Sequence, residues 1–268
     1  MVCPVYGRSH PAAIISHLSG AKMEKLIDGA TRLGLTLDKS QIDLFEAYYH
    51  ELVDWNKRIN LTAITGFEDV QTKHFLDSLT VTLAVKLLLN PRSAPELAPS
   101  HLSVLDVGTG AGFPGVPLKI VLPNISLTLL EATGKKALFL EHVTRVLGLA
   151  DVKIVTARAE DAAHLKDQRG KHGLVVSRAV AALPALLELT LPFCRTGGIF
   201  VAQKLTAAKL EIDDATRAAR QLGGRFEQVV DISLPELADR CLIVYRKVSA
   251  TPEKYPRSPG IPAKQPLM

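Results

Sequence analysis

Short apolar runs alternate with helical segments from Leu102 to about Arg246. Parallel strands need a crossover between them and are covered on both faces, so their sequences are apolar almost throughout. Six runs have this character: LSVLDV, ISLTLLE, VKIVT, LVVSRA, GIFVAQ and CLIVYR. The alternation predicts an α/β fold with βαβ units and a mostly parallel sheet. The turn at Gly223-Gly224, followed by RFEQVVDI, also predicts an antiparallel edge strand.

Residues 23–90 precede the sheet and have helical rather than strand spacing. Asp38 is followed three positions later by Gln41, which is the pattern of a capping box at a helix start. Apolar residues then recur at helical intervals: Ile42, Phe45, Tyr49, Leu52 and Ile59. A second helix is predicted over residues 69–89, because proline follows it and cannot continue a helix.

These patterns predict one folded domain with an extension at each end. Residues 1–22 lack clear periodicity, and we expect them to be a disordered, dispensable extension. The domain covers residues 23–248, with helices over 23–90 and a Rossmann-like core over 101–248. Residues 249–268 form a tail with five prolines, so neither helix nor strand is predicted there.

The composition is that of one soluble globular domain with a small basic excess. Of 268 residues 47% are hydrophobic, and 32 Lys and Arg against 27 Asp and Glu give a net charge of +5, which allows a nucleic-acid partner without requiring one. No apolar run reaches the roughly 18 residues of a membrane span, and the cysteines form no metal motif. We therefore expect a cytoplasmic monomer without a membrane or metal partner. Basic residues that are predicted either to contact phosphate or to be solvated gather near the C-terminus: Arg246, Lys247, Lys254, Arg257 and Lys264.

An acid and three glycines follow the first apolar run: Asp106, then Gly108, Gly110 and Gly112. Glycine at alternate positions lets the backbone turn tightly and lets a ligand approach closely. The pattern differs from the dinucleotide fingerprint G-x-G-x-x-G, because Phe113 stands where the third glycine is expected. A bulky Phe113 suits an adenine or a methionine-like group better than a closely bound pyrophosphate.

Two further acids follow the next two predicted strands. Glu131 ends ISLTLLE, 25 residues after Asp106, at the place where nucleoside-binding α/β folds hydrogen-bond ribose hydroxyls. Ala159-Glu160 follows VKIVT, where an adenine edge is expected; either acid could instead be structural. All these signals lie at the carboxyl ends of the first three strands, where open α/β sheets bind ligands. Their combination favours S-adenosylmethionine over NAD.

Five ordered stretches resemble one family in particular. They are WNKRINLTAI (55–64), HFLDSL (74–79), DVGTGAGFPGVPL (106–118), SRAVA (177–181) and TPEKYPRSPGIPAKQPL (251–267). Together they resemble the bacterial small-subunit ribosomal RNA guanine-N7 methyltransferases, also called glucose-inhibited division protein B. The resemblance implies a Rossmann-like class I methyltransferase fold with an N-terminal helical layer, and S-adenosyl-L-methionine as the donor. The implied acceptor is N7 of the guanine conventionally numbered 527, in 16S ribosomal RNA or the small ribosomal subunit.

The resemblance and the glycine turn together give seven candidate cofactor contacts: Gly108, Gly110, Phe113, Glu131, Ala159, Glu160 and Arg178. For Arg178 the sequence leaves three roles open: binding the cofactor, binding an RNA phosphate or guanine O6, or forming an ion pair at a strand end. The chain departs from the family pattern at two places: Leu205 follows Lys204 where glycine is expected, and residues 1–22 have no counterpart in the family.

Guanine N7 carries a lone pair and no proton at neutral pH, so no general base is needed and none is assigned. Alignment of the reacting atoms can supply up to ~7–11 kcal/mol, and the positioning candidates are Asn60, His74 and Arg178. Candidate RNA contacts are Asn60, His74, Asp77 and Lys204. Alternatively, the first three of these make only local hydrogen bonds, and Lys204 is a solvated lysine.

Three other functions fit parts of the sequence. A methyltransferase of the same fold could act on a small molecule or a protein. An NAD-dependent oxidoreductase is disfavoured by Phe113 and by the lack of an evident hydride-transfer site. A non-catalytic RNA-binding assembly factor would use the basic C-terminus.

Overall fold

A computed structural model of the chain describes residues 23–88, 102–178 and 181–267, and its centre is one sheet. The strands are β1 Ser103–Val107, β2 Ser126–Glu131, β3 Val152–Thr156, β4 His172–Arg178, β5 Cys194–Leu205, β6 Gly224–Asp231 and β7 Arg240–Lys247. Their order across the sheet is β3-β2-β1-β4-β5-β7-β6. Strands β1 to β5 lie parallel, and β7 runs antiparallel between β5 and β6. The predicted mostly parallel sheet with an antiparallel edge is confirmed, and β6 is its outermost strand.

Helices cover both faces of this sheet. They are α1 Glu24–Arg32, α2 Lys39–Asn56, α3 Phe67–Val70, α4 Asp77–Leu79, α5 Val81–Leu88, α6 Gly115–Val121, α7 Gly134–Val146, α8 Ala159–Ala162, α9 Leu183–Thr190, α10 Glu211–Gln221 and α11 Ile261–Lys264. Helices α1 to α7 contribute to the hydrophobic core of one face, and α8 to α11 belong to the other. Burial on both faces explains why the central strands are almost entirely apolar.

The N-terminal layer, helices α1 to α5, begins with the predicted capping box. The Gln41 N–H donates to Asp38 Oδ1 over 2.9 Å, and the Asp38 N–H donates to Gln41 Oε1 over 3.1 Å. The predicted second helix is present as α3 to α5, with a π-helical turn at Gln71–Leu76 that joins α3 to α4. Its predicted end lies outside the described residues. No described helix is long and apolar enough to cross a membrane.

The C-terminal strap, residues 249–267, folds back onto the body of the protein. The sequence predicted neither helix nor strand here, and the four-residue helix α11 corrects that prediction. The physical reason is tertiary: Thr251, Tyr255 and Pro262 are buried against the α9 and α10 side of the sheet. These contacts fix a segment whose proline content alone indicates no regular structure.

Three of the C-terminal cations that the sequence offered as phosphate contacts are instead used within the fold. Arg246 Nε donates to Glu227 over 3.2 Å, and Lys247 Nζ donates to the Leu222 carbonyl over 2.7 Å. Arg257 pairs with Glu188, a carboxylate with no exposed surface. Burial lowers the pKa of Lys247 to about 8. Since an internal partner already satisfies each of these charges, they are poorly placed to bind phosphate.

Candidate functional site

A cavity of about 390 Å³ lies at the carboxyl ends of β1, β2 and β3. We call it the donor cavity, and its lining residues are Val107, Gly108, Leu130, Glu131, Ala132, Ala157, Arg158, Ala159, Glu160, Ala181, Leu189, Pro259, Gly260 and Ala263. The walls are mostly apolar, with two carboxylates and one guanidinium among them. An adenosine has the same balance of a flat apolar ring and a few polar edges, so the lining fits such a group.

The glycine turn borders this cavity, and its backbone explains the choice of residue. Gly108, Gly110 and Gly112 all have positive φ, at 70°, 61° and 99°, a region that other L-residues rarely adopt. At Gly112 an added Cβ would also lie 2.6 Å from the Tyr48 hydroxyl of the N-terminal layer. At Gly110 it would meet nothing within 4 Å, so that side of the turn is open to a ligand.

Asp106 stabilises the glycine turn through two hydrogen bonds. Its Oδ2 accepts hydrogen bonds from Thr109 Oγ1 over 2.6 Å and from the Gly115 N–H over 2.8 Å. The carboxyl is fully buried, and this burial raises its pKa to about 6 despite the two hydrogen bonds. Because both contacts close the loop between β1 and α6, Asp106 has a structural role in shaping the turn.

Glu131 connects the turn to the end of β2. Its Oε2 accepts from the Gly110 N–H over 3.0 Å, and its Oε1 accepts from the Thr133 N–H over 2.8 Å. The side chain is 7% exposed and lines the donor cavity. Each carboxylate oxygen can accept more than one hydrogen bond, so Glu131 retains capacity for the hydroxyls of a ribose. This arrangement fits the cofactor that the sequence predicts.

Ala159 and Glu160 lie on the opposite side of the cavity, in the first turn of α8. Glu160 is 9% exposed, and its Oε1 accepts a 2.9 Å hydrogen bond from the Gly260 N–H of the C-terminal strap. The sequence placed both residues beside an adenine, and the structure brings them into the same cavity as Gly108 and Glu131. It adds a contact to the strap that no local pattern indicated.

A second group of polar residues lies between β4 and the N-terminal layer. We call it the arginine cluster, and it consists of His74, Asp77, Phe113 and Arg178. Arg178 Nη1 donates to Asp77 Oδ2 over 3.0 Å and to the Lys73 carbonyl over 3.1 Å. Its guanidinium carbon lies 5.0 Å from the centre of the Phe113 ring. The cluster therefore joins the end of β4 to the glycine turn and to the π-helical turn.

His74 is the neutral member of the arginine cluster. Its ring stacks on Phe113 with 4.5 Å between ring centres, and its Nε2 lies 2.8 Å from Thr62 Oγ1. Burial, followed by the nearby positive charge of Arg178, lowers the pKa of His74 to about 3. The imidazole is therefore uncharged near pH 7, and the cationic group of this cluster is Arg178.

The predicted RNA contacts are divided between the interior and the surface. His74 and Asp77 are buried, at 6% and 2% exposure, whereas Asn60 is exposed. Lys204 Nζ donates to the Ala181 carbonyl over 2.9 Å and lies 3.2 Å from the Glu211 carboxylate. The structure therefore brings His74 and Asp77 together with Arg178, and it leaves Asn60 and Lys204 outside that cluster.

Two residues beside the site were missed by sequence reasoning. Asn56 Oδ1 accepts from the N–H groups of Leu61 and Thr62, so Asn56 rather than Asn60 fixes the loop after α2. Gln203 Nε2 donates to the Asp77 carbonyl over 2.7 Å from the end of β5. The asparagine near a predicted helix end was a usable signal for Asn56, but no sequence signal indicated Gln203. Ala179 and Val180 of the SRAVA stretch lie outside the described residues.

Comparisons with known proteins agree with this geometry. A family model described as rRNA small subunit methyltransferase G matches residues 41–240. Ribosomal RNA small subunit methyltransferase G of Dehalococcoides mccartyi strain CBDB1 is 50% identical over 248 residues, which cover 92% of this chain and all of that protein. The protein of the same name from Pelotomaculum thermopropionicum is 45% identical over 245 residues, covering 91% of this chain and 98% of the relative. The chain therefore belongs to the rRNA small subunit methyltransferase G family, and it is an S-adenosylmethionine-dependent methyltransferase of ribosomal RNA.

Proposed function

We propose that the donor cavity holds the adenosine part of S-adenosylmethionine. The observation that carries this proposal is the Glu131 carboxylate, which lines a mostly apolar cavity while it is bonded to the glycine turn through Gly110. In this assignment Glu131 accepts the ribose hydroxyls, and Ala159 and Glu160 border the adenine. Gly108 lets the ligand lie close to the backbone at the end of β1.

We assign the arginine cluster to the boundary between donor and acceptor. Arg178 has five N–H donors, and its contacts with Lys73, Asp77 and His74 use three of them. Among the described residues the Nε hydrogen and one Nη2 hydrogen have no partner, and we propose that they bind the carboxylate of the cofactor. Phe113 supports both the guanidinium and the His74 ring. The cluster is preorganised, because its polar groups are held by the fold before any ligand arrives.

The residues have positioning roles in this mechanism, and none acts as a base. When bound, S-adenosylmethionine supplies the electrophilic methyl group for attack by the guanine N7 lone pair. His74 is buried and neutral with a pKa of about 3, so it maintains the shape of the pocket. The exposed Asn60 and the partly buried Lys204 are the proposed RNA contacts. Asp77 acts through Arg178, whose orientation it fixes.

The proposed substrate is 16S ribosomal RNA, free or within the small ribosomal subunit, modified at N7 of one guanine. The family supports an RNA acceptor, and the mild basic excess of the chain is compatible with one. We propose a cytoplasmic monomer as the working form.

The test is transfer of a tritiated methyl group from S-adenosylmethionine to small subunits and to free 16S RNA, both from a strain that lacks the homologous enzyme. We expect label in 7-methylguanosine at a single site. Label in another nucleoside would contradict the proposed acceptor atom. A protein that binds the donor but labels neither RNA would contradict the ribosomal substrate.

A further inference from the structure

The C-terminal strap supplies one wall of the donor cavity. Pro259, Gly260 and Ala263 line the cavity, opposite the ends of the strands that carry Gly108 and Glu131. These three residues lie more than ninety positions after the last residue of the predicted cofactor motifs on β1 to β3. The strap therefore contributes part of the cavity wall from a distant segment of the sequence.

A buried ion pair fixes the strap at its centre. Glu188 of α9 has no exposed surface, and its two oxygens accept from the Arg257 backbone N–H over 2.8 Å, from Nε over 3.0 Å and from Nη2 over 2.7 Å. The Arg257 Nη2 also donates to the Gln265 carbonyl over 2.7 Å. Charge-assisted bonds of this geometry are directional, so they set both the position and the orientation of the segment.

Arg169 fixes the start of the strap in a different way. Its Nη1 donates to the Tyr255 carbonyl over 2.9 Å, and its Nη2 donates to the carbonyls of Thr251 and Pro252, each over 3.0 Å. His164 adds a 2.9 Å contact with the Pro256 carbonyl. Backbone carbonyls that have no strand or helix partner are thus satisfied by side chains of the methyltransferase core.

A direct contact links the strap to a proposed cofactor residue. Gly260 has a φ of 84°, which only glycine adopts without strain, and in this conformation its N–H reaches Glu160 Oε1 over 2.9 Å. The strap therefore orients Glu160 at the edge of the cavity. Two independent anchors and this bond place the segment as a fixed wall.

We propose that residues 255–263 are part of the donor-binding site, where they enclose the adenosine and hold Glu160 against it. The proposal rests on the assignment of the donor cavity to S-adenosylmethionine. Ala263 is the strap position at which added bulk would reduce the room in the cavity, because it lines the cavity and is small. In this proposal the C-terminus determines cofactor affinity, whereas the sequence suggested an extension that binds RNA.

The test compares Ala263→Phe with Lys264→Phe. Both positions are exposed on α11, but only Ala263 lines the cavity, so both variants are expected to fold and only the first fills the binding space. We expect Ala263→Phe to raise the Kd for S-adenosylmethionine about tenfold or more, and Lys264→Phe to change it less than about twofold. Calorimetric titration measures the Kd values, and thermal unfolding checks that both variants have the melting temperature of the unmodified protein.

The outcomes separate the two proposals. If Gly108→Arg, which fills the cavity from the glycine turn, binds S-adenosylmethionine as well as the unmodified protein does, the donor-cavity assignment is wrong. If Gly108→Arg loses affinity while Ala263→Phe binds as well as the unmodified protein, the assignment stands and the inference about the strap is wrong. Hydrogen exchange gives a second measurement: S-adenosylhomocysteine should slow exchange in a peptide covering 255–264, and protection limited to the glycine turn would overturn the inference.

Discussion

The donor cavity and the arginine cluster lie at the same edge of the sheet but are built differently. In the donor cavity a carboxylate, Glu131, is bonded by backbone N–H groups from two loops next to their own strands. In the arginine cluster, side chains from β4 and the N-terminal layer bind one another across about a hundred residues of sequence. The carboxylate of the first site is held by local backbone conformation, whereas the second site depends on how two layers pack.

The two regions also differ in their electrostatics. The donor cavity carries two carboxylates, Glu131 of β2 and Glu160 of α8, and the guanidinium of Arg158, among apolar walls. The arginine cluster contains an ion pair whose members, Arg178 and Asp77, have side chains only 14% and 3% exposed. Loss of one partner of such a pair leaves a buried charge uncompensated. Substitutions in the cluster should therefore lower stability as well as activity, whereas those in the cavity should act mainly on the ligand.

The largest expected effect is the loss of donor affinity in Gly108→Arg, which changes the donor cavity and leaves the arginine cluster intact. Gly108 lines the donor cavity with a φ of 70°, so a long side chain there is both strained and in the place of the ligand. We expect the Kd for S-adenosylmethionine to rise by at least about 100-fold. Binding of small subunits in the absence of donor should be unchanged, as measured by filter binding.

Gly148→Arg is the matched control for backbone strain. Gly148 has a similar φ of 61°, is exposed, and lies beside open space at the end of α7. We expect it to lower the melting temperature as Gly108→Arg does, without a change in donor affinity. Equal donor affinity in Gly108→Arg and the unmodified protein would show that the cavity is not the cofactor site.

The features that the sequence predicted correctly are those with a local cause. The parallel sheet follows from apolar runs, and the glycines of the turn follow from positive φ. The family membership confirms the predicted methyltransferase class. The sequence placed Glu131 at the end of a strand, and it lies at the end of β2, because strand ends have a fixed place in an open sheet.

The features that the sequence did not predict depend on contacts between distant segments. The pairing of Arg178 with Asp77 depends on where the N-terminal layer docks, and no periodicity encodes that position. The C-terminal strap is ordered by Glu188 and Arg169, which are unremarkable in their own helix and loop. Asn56 and Asn60 both stand near a helix end, and only the folded loop shows that Asn56 accepts its N–H groups.

The next largest effect is expected for Arg178→Met in the arginine cluster, which should lower both methyl transfer and stability. Methyl transfer should fall about 100-fold, because a preorganised hydrogen-bond donor of the pocket is lost. The free energy of unfolding should fall by about 3–5 kcal/mol, because the Asp77 carboxylate is left buried without its partner. Steady-state kinetics and urea unfolding measure the two effects.

The double variant Arg178→Met with Asp77→Asn distinguishes the two roles of Arg178. It removes the uncompensated charge, so we expect stability to recover while methyl transfer stays low. Recovery of both would show that Arg178 contributes only to folding. A loss of donor affinity as large as that in Gly108→Arg would show that the two regions form one binding site.

A smaller expected effect is the pH dependence of protein stability that His74 causes. Its pKa is about 3 in the folded protein and about 6.5 when unfolded, so the unfolded state binds more protons between these values. Stability should therefore fall as pH decreases from 6.5 to 3, by roughly 2–5 kcal/mol from this group, and it should be fully present above pH 6.5. Urea unfolding across this range should show a weaker pH dependence in His74→Gln.

His172→Gln is the control. His172 begins β4, at the end opposite Arg178, and burial lowers its pKa to about 4. This variant should remove a similar pH dependence between 4 and 6.5. Only His74→Gln should also reduce methyl transfer, since only His74 stacks on Phe113. Equal rates of methyl transfer in the two variants would show that His74 has no role in the part of the site that receives the guanine.

The smallest expected effect concerns the partly buried Lys204 and whether it contacts RNA. Lys204 lies 3.2 Å from Glu211, and a phosphate can compete for it only if this pair opens. In Lys204→Gln the slope of log affinity against log salt should decrease by about 0.7–0.9, the contribution of one phosphate contact. Lys209→Gln removes a lysine nearby in sequence that is paired with Asp231, and it should leave the slope unchanged. Equal slopes in both variants would mean that Lys204 stays with Glu211, and that RNA contacts on this side of the site are made by other residues.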